Sequence, residues 1–74
     1  MNESRKLIES VLDECKREKI MVDLYVLNGV RVPGCVMDFD DDVVIIFSEG
    51  RQRVVFKHAI STIVPEKPLK AIKR

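Results

Sequence analysis

At Ile20 the spacing of apolar side chains changes, and that change constrains the fold more than any other feature of the chain. Before it, Leu7, Ile8, Val11, Leu12 and Cys15 recur at helical spacing, a single apolar stripe that predicts an amphipathic helix over about 4–18. Asn2 or Ser4 is placed to cap its start. After it, "IMVDLYVL" alternates: Ile20, Val22, Leu24 and Val26 share one face, and Met21, Asp23, Tyr25 and Leu27 the other. One helix must therefore hand over almost directly to extended chain.

Asn28-Gly29 follows, a strong hairpin signal, because both residues tolerate the positive φ of a type I′ turn. A second strand runs through "VRVPGCVMDF". Pro33 cannot donate to a ladder and Gly34 permits a bend, so this strand should curve sharply. "DDD" at 40–42 is a polar turn, and "VVIIF" at 43–47 reads as a strand covered on both faces. "SEG" at 48–50 turns into "RQRVVF" at 51–56. A short turn carries Lys57 and His58 before "ISTIV" at 60–64, which Pro65 stops. The expected fold is mainly β with an N-terminal helix: a small, partly open barrel of five strongly bent antiparallel strands, occupying 1–65. Residues 66–74 form an expected basic, mobile tail, with docking of Leu69 and Ile72 as the alternative.

A single domain of 74 residues buries only ~60–65% of its unfolded surface, so it needs help from disulfides, a metal or other copies. Cys15 and Cys35 form no CxxC, and "MNESRKLIES" carries charges where the apolar stretch of a leader belongs. Free thiols in a reducing cytoplasm are expected. One histidine and two distant cysteines make a poor zinc set, so neither metal nor cofactor is expected. Oligomerisation remains. "RVVF" and "ISTIV" carry little edge protection by charge or proline. Edges that pair head-to-tail between copies close into a ring. No apolar run approaches the ~20 residues of a membrane span. Net charge is only +1, but acids gather at 38–42 and bases at 16–19, at 51–53 and in the tail, so one surface can be basic while another repels anions.

The one histidine lies in "FKHAIST" at 56–62. Its residue type allows a general base, a metal ligand, a buried structural group or a donor aimed at a partner. No Ser, Cys or carboxylate is spaced to make it the base of a nucleophile, so no catalytic residue is expected.

That heptapeptide resembles the second Sm motif of the Hfq family of bacterial Sm-like (LSm) RNA chaperones, usually written YKHAIST. "YVLNGVRVPG" at 25–34 resembles the end of the first strand, the Asn-Gly turn and the bent second strand of the first Sm motif. Phe39-Asp40 matches its Phe-Asp pair, and the "SEG" turn resembles Gram-positive members. The similarity runs from about Leu7 to Pro65. It implies a non-catalytic, cytoplasmic homohexameric ring that binds single-stranded RNA. In this role small regulatory RNAs are paired with messages in post-transcriptional regulation and stress response. U-rich RNA would bind a proximal face around the pore, purine-rich RNA a distal face, and basic helix residues would form an annealing rim.

By that resemblance, Lys57 bonds uracil or phosphate and His58 donates to phosphate or ribose. Asp42 and Ile8 stand where the family typically has a stacking aromatic residue and a glutamine. A weakened or altered proximal preference follows, since base–aromatic stacking is worth ~1–3 kcal/mol per base. On the distal face, Tyr25 is the expected stacking residue, with Asn28, Gly29, Val30, Arg31 and Val32 walling a purine pocket. Ser61 and Thr62 would read an adenine edge, and Arg53, at a glutamine position, would stack or contact phosphate. Pro33 also replaces a common glutamine. Lys16, Arg17 and Lys19 match the rim, an assignment balanced against an ordinary basic helix end. Phe39 is expected to pack in the core or rim. The competing reading is a divergent ring with weakened RNA binding that engages proteins or mixes with another ring; a monomeric DNA-binding barrel would leave the open edges unexplained.

Overall fold

The computed structural model describes residues 2–70, with side chains from residue 6 onward. Helix α1 spans Asn2–Glu18, and five strands follow: β1 Met21–Val26, β2 Arg31–Phe39, β3 Val43–Ser48, β4 Arg51–Phe56 and β5 Ile60–Pro65. A 3₁₀ turn, Lys57–Ala59, joins β4 to β5. The expected caps Asn2 and Ser4 and the tail residue Ile72 lie outside the described side chains.

The helix ends by backbone geometry rather than by proline. Lys19 adopts φ 54°, and the Ile20 N–H returns to the Cys15 carbonyl at 3.0 Å. This is the longer hydrogen bond of a Schellman cap, and Cys15 and Ile20 are both buried, as its apolar contact requires. The stripe then divides. Leu12 and Cys15 are buried over the sheet, whereas Leu7 and Ile8 remain 49% and 42% exposed.

All strand pairs are antiparallel, in the order β4-β3-β2-β1-β5. Val22, Leu24, Val32, Val36, Val44, Ile46 and Val55 form the inner layer against Leu12, Cys15 and Ile20. The edges are β4 and β5, the two strands whose sequence offers least protection. Val54, Phe56 and Val64 on them are about half exposed. The run at 43–47 is not covered on both faces: Val44 and Ile46 are buried, but Phe47 is 43% exposed.

The turns differ from expectation. Asn28 has no positive φ; only Gly29, at 89°, does. Gly29 N–H bonds to Val26 O, Val26 N–H to Val30 O, and the Asn28 side-chain oxygen accepts the Val30 N–H. That is a three-residue loop closed by a glycine bulge, not a type I′ turn. The type I′ geometry occurs at Glu49-Gly50, φ 54° and 77°, between paired Ser48 and Arg51. Gly34 is indispensable in β2: a Cβ there would stand 2.5 Å from the Phe47 carbonyl oxygen and 2.6 Å from Ile46 Cγ2. The strand bends where β3 crosses closest.

The beginning of the expected mobile tail is fastened. Leu69 is buried in the core cluster, and the Lys70 N–H donates to the buried Glu14 carboxylate at 2.8 Å. For Leu69 the docked alternative holds because a leucine at the end of the helix–β5 groove buries more apolar surface than solvent exposure would allow.

Candidate nucleic-acid interface

The first group of residues surrounds the 3₁₀ turn. Asp40 organises it: its carboxylate accepts the backbone N–H groups of Asp42 and Val43 at 2.8 and 2.9 Å. Those two bonds, chiefly, hold its pKa below the ordinary aspartate value, with the Lys57 charge adding to them. The Asp42 carbonyl in turn accepts the Lys57 N–H at 2.8 Å. The β2–β3 turn and the Lys-His turn are thereby locked side by side. Lys57 Nζ sits 5.3 Å from the centroid of Phe39, and Lys16 Nζ sits 6.0 Å from the same ring. Phe39 is half-buried and also packs on the core, so it joins the helix end to the Lys-His turn through two cation–π contacts. His58 is exposed and stacks on Phe56, ring centroids 5.8 Å apart. A buried structural role for His58 is thereby removed; its ring faces solvent. Ile8 lies elsewhere, in an apolar groove between α1 and β5 with Leu7, Val11, Ile60 and Ile63. Asp42, Lys57 and His58 thus come together, and Ile8 faces β5 instead.

The second group forms a row across three strands. Tyr25 is the register partner of Arg31 on β2 and of Thr62 on β5. Register partners point to the same side of a sheet, so these three share its outer face. The ladder between β1 and β5 slips immediately after Tyr25, where Val26 pairs with Ile60. Ser61 is the residue left over, and its hydroxyl donates to the Tyr25 carbonyl at 3.1 Å. Asn28, Gly29 and Val30 are exposed at the adjacent hairpin end. Val32 does not join them. It is 7% exposed and opposite Leu24, because alternation that turns Arg31 outward turns Val32 into the core. Arg53 is also apart: it stands on β4, at the far edge of the sheet, opposite Ile46 on the inner side.

Charge on the third group is largely spent within the protein. Lys16 pairs with Asp38 at 3.1 Å, and Arg17 with Asp13 at 2.8 Å. The Lys16 hydrogen bond, above all, depresses the Asp38 pKa. Arg31 in the Tyr25 row is likewise held by Asp23 at 3.3 Å. Lys19 makes no ion pair with any described residue, although its backbone is the strained one. Among the described residues no cluster of His, Cys, Asp and Glu suits a metal ion, and no helix is long and apolar enough to cross a membrane.

Two residues escaped the sequence reading. Asp40 was legible only as half of a motif; the signal for its role is an aspartate two and three residues before N–H groups that open a strand. Glu14 falls three residues after Val11 and so lies on the apolar stripe, which marks a carboxylate with an internal partner.

The chain is similar to known proteins in sequence and in fold. The Hfq protein family profile matches residues 7–70. An RNA-binding protein Hfq from Leptospira biflexa is 41% identical over 70 residues, 95% of this chain and 84% of that protein. One from Clostridium perfringens is 40% identical over 70 residues, covering 93% and 88%. A crystal structure described as the pleiotropic translational regulator Hfq superposes with TM-score 0.75 and 34% identity, over 78% of this chain and 88% of the other.

Proposed function

This chain belongs to the Hfq family, and from that premise we propose that it is an RNA-binding chaperone whose copies assemble into a ring, a hexamer by family resemblance, to pair small regulatory RNAs with messages. The observation that carries this reading is the Arg31–Tyr25–Thr62 row, an aromatic face flanked by hydroxyls beside an open hairpin end. A base stacks on Tyr25, and Thr62 supplies a hydroxyl to its edge. The Ser61 hydroxyl, already donating to Tyr25 O, keeps acceptor capacity only. The exposed edges of β4 and β5 pair between copies, which would carry Arg53 of one copy toward the Tyr25 row of the next. Lys57 and His58 contact phosphate around the pore. Asp42, exposed beside them, repels it and offers no ring, so the proximal face binds U-rich RNA weakly. Lys19, with Lys16 and Arg17, forms the rim. Nothing in this scheme requires catalysis, and its place is the cytoplasm.

The test is binding of oligo-A and oligo-U at two salt concentrations. Oligo-A binding is expected to exceed oligo-U binding, to weaken with salt, and to fall about fivefold or more in Tyr25→Ala. Salt-independent or absent oligo-A binding would reject the reading. The rival, a divergent ring that engages proteins, draws on the neutralised bases: Lys16, Arg17 and Arg31 each spend charge on a neighbouring aspartate. It predicts no RNA binding in the same assay.

A further inference from the structure

Every accessible sulfur among the described residues lies on one side of the sheet. The Cys35 thiol on β2 donates to Met21 Sδ on β1 at 3.0 Å, and the two residues are register partners. Met21 is 46% exposed and Cys35 is half-buried, so this contact faces outward rather than into the core. Two residues further along β2, the bulge leaves Met37 without a partner on β3. Val36 before it is buried, whereas Met37 is 42% exposed, which places Met37 on the same outer side as Cys35. The other described sulfur, Cys15, is buried in the core. The harder donors nearby are already engaged. Asp23, two residues from Met21 on the same face of β1, is held by Arg31 at 3.3 Å, and Asp38, next to Met37, is held by Lys16 at 3.1 Å. The one histidine stacks on Phe56.

We propose that Met21, Cys35 and Met37 form a binding site for a soft monovalent metal ion, copper(I), held by one thiolate and two thioethers. Softness decides the ion. Three sulfurs with no nitrogen and no unpaired carboxylate beside them suit copper(I) and offer nothing to magnesium or calcium. Zinc is disfavoured as well, because its sites draw on thiolate, imidazole and carboxylate, and this face supplies a single thiolate. On binding, the ion takes the place of the thiol proton, which leaves to solvent, and the Cys35–Met21 hydrogen bond gives way to two metal–sulfur bonds. At ~2.3 Å per metal–sulfur bond, two ligands of one ion stand about 4 Å apart, so these sulfurs must separate by about 1 Å. Met21 supplies that movement, being exposed and unbranched with rotatable bonds along its whole length. Met37 is equally adaptable and completes a three-coordinate set. Pairing of the β4 and β5 edges between copies leaves the outer face of β1 and β2 open to the ion. The site stands apart from the RNA-binding reading and does not depend on it.

The test is a titration of the full chain with copper(I), kept reduced by ascorbate in the absence of oxygen and held by bicinchoninate as a competing chelator. The parent is expected to withdraw one copper(I) per subunit, and an equal concentration of zinc(II) should not displace it. Met21→Leu and Met37→Leu keep the apolar volume and remove the sulfur. Each should weaken copper(I) binding about tenfold or more, because even a partner outside the ligand set is worth that much. Cys35→Ser should abolish binding. Circular dichroism and native mass confirm that each variant folds and assembles as the parent does, and the two leucine variants decide the matter should Cys35→Ser not fold. A parent that takes no copper(I) from the chelator overturns the site. So does displacement by zinc(II), which would show that the donors are not selected for softness. Either leucine variant binding copper(I) as tightly as the parent also overturns it, since the metal is then captured by a lone thiol.

Discussion

Asp40 sits at the centre of the Lys-His site without facing a ligand. Two backbone N–H groups converge on its carboxylate, and the turn they define presents the Asp42 carbonyl to Lys57. Its pKa is lowered by folding, so the unfolded chain takes up the proton first as pH falls. The stabilisation is therefore fully present above the ordinary aspartate range, about pH 4, and is lost below it as pH falls through the folded value. Asp38, lowered by Lys16, loses its contribution in the same window. Asp40→Asn keeps an acceptor oxygen and removes this carboxylate's titration; Asp40→Ala removes both. In thermal melts between pH 3 and pH 7, Asn is expected to flatten part of the pH dependence and Ala to lower the Tm throughout. An Ala variant as stable as the parent at neutral pH would show that the turn does not depend on these bonds.

At the scale of elements, Leu69 belongs to the core although it lies beyond the last strand. Leu69 closes the groove between α1 and β5, and Glu14 receives the Lys70 N–H. Composition alone pointed to a mobile tail over 66–74, because bases and Pro68 dominate it; at Leu69, burial of most of the side chain favours the docked alternative. Truncating a buried leucine to alanine costs about 2–5 kcal/mol. Leu69→Ala is expected to shift the urea midpoint downward by a corresponding amount without changing the slope, and a midpoint equal to the parent's would contradict the burial. The turns carry a related lesson. Asn28-Gly29 has the right residues for a type I′ turn, but the extra residue in the loop lets glycine alone take positive φ, while Glu49-Gly50 must use both positions. Loop length, not residue preference, selects the turn.

For the whole molecule, an open sheet with half-exposed Val54, Phe56 and Val64 on its two edges leaves backbone groups and apolar surface together without cover. A lone subunit of 74 residues is poorly stabilised in that state. Assembly through those edges makes stability depend on concentration: the Tm should rise with protein concentration, and native mass should report a multiple of the subunit. Val54→Asp, at a position 60% exposed in the single chain, should reduce that mass with little direct cost to the subunit's own core. A parent that stays a single subunit at micromolar concentration, with a Tm independent of concentration, would exclude the ring.

By itself the sequence determined the order and type of every element, because period, glycine and proline act locally. The shift at Ile20 marks helix and strand, and Pro33-Gly34 marks the bend. "FKHAIST" with the spaced Asn-Gly and Phe-Asp pairs identified the family. Tertiary structure decided what depends on register and side-chain pairing. It gathered Arg31, Tyr25 and Thr62 into one row, turned Val32 inward, moved Ile8 to a groove beside β5, and paired Lys16 and Arg31 with carboxylates on other strands. The Arg17–Asp13 pair follows from helical spacing, but which anion Lys16 finds, and which aromatic face stays open, are consequences of three-dimensional proximity that no spacing along the chain encodes.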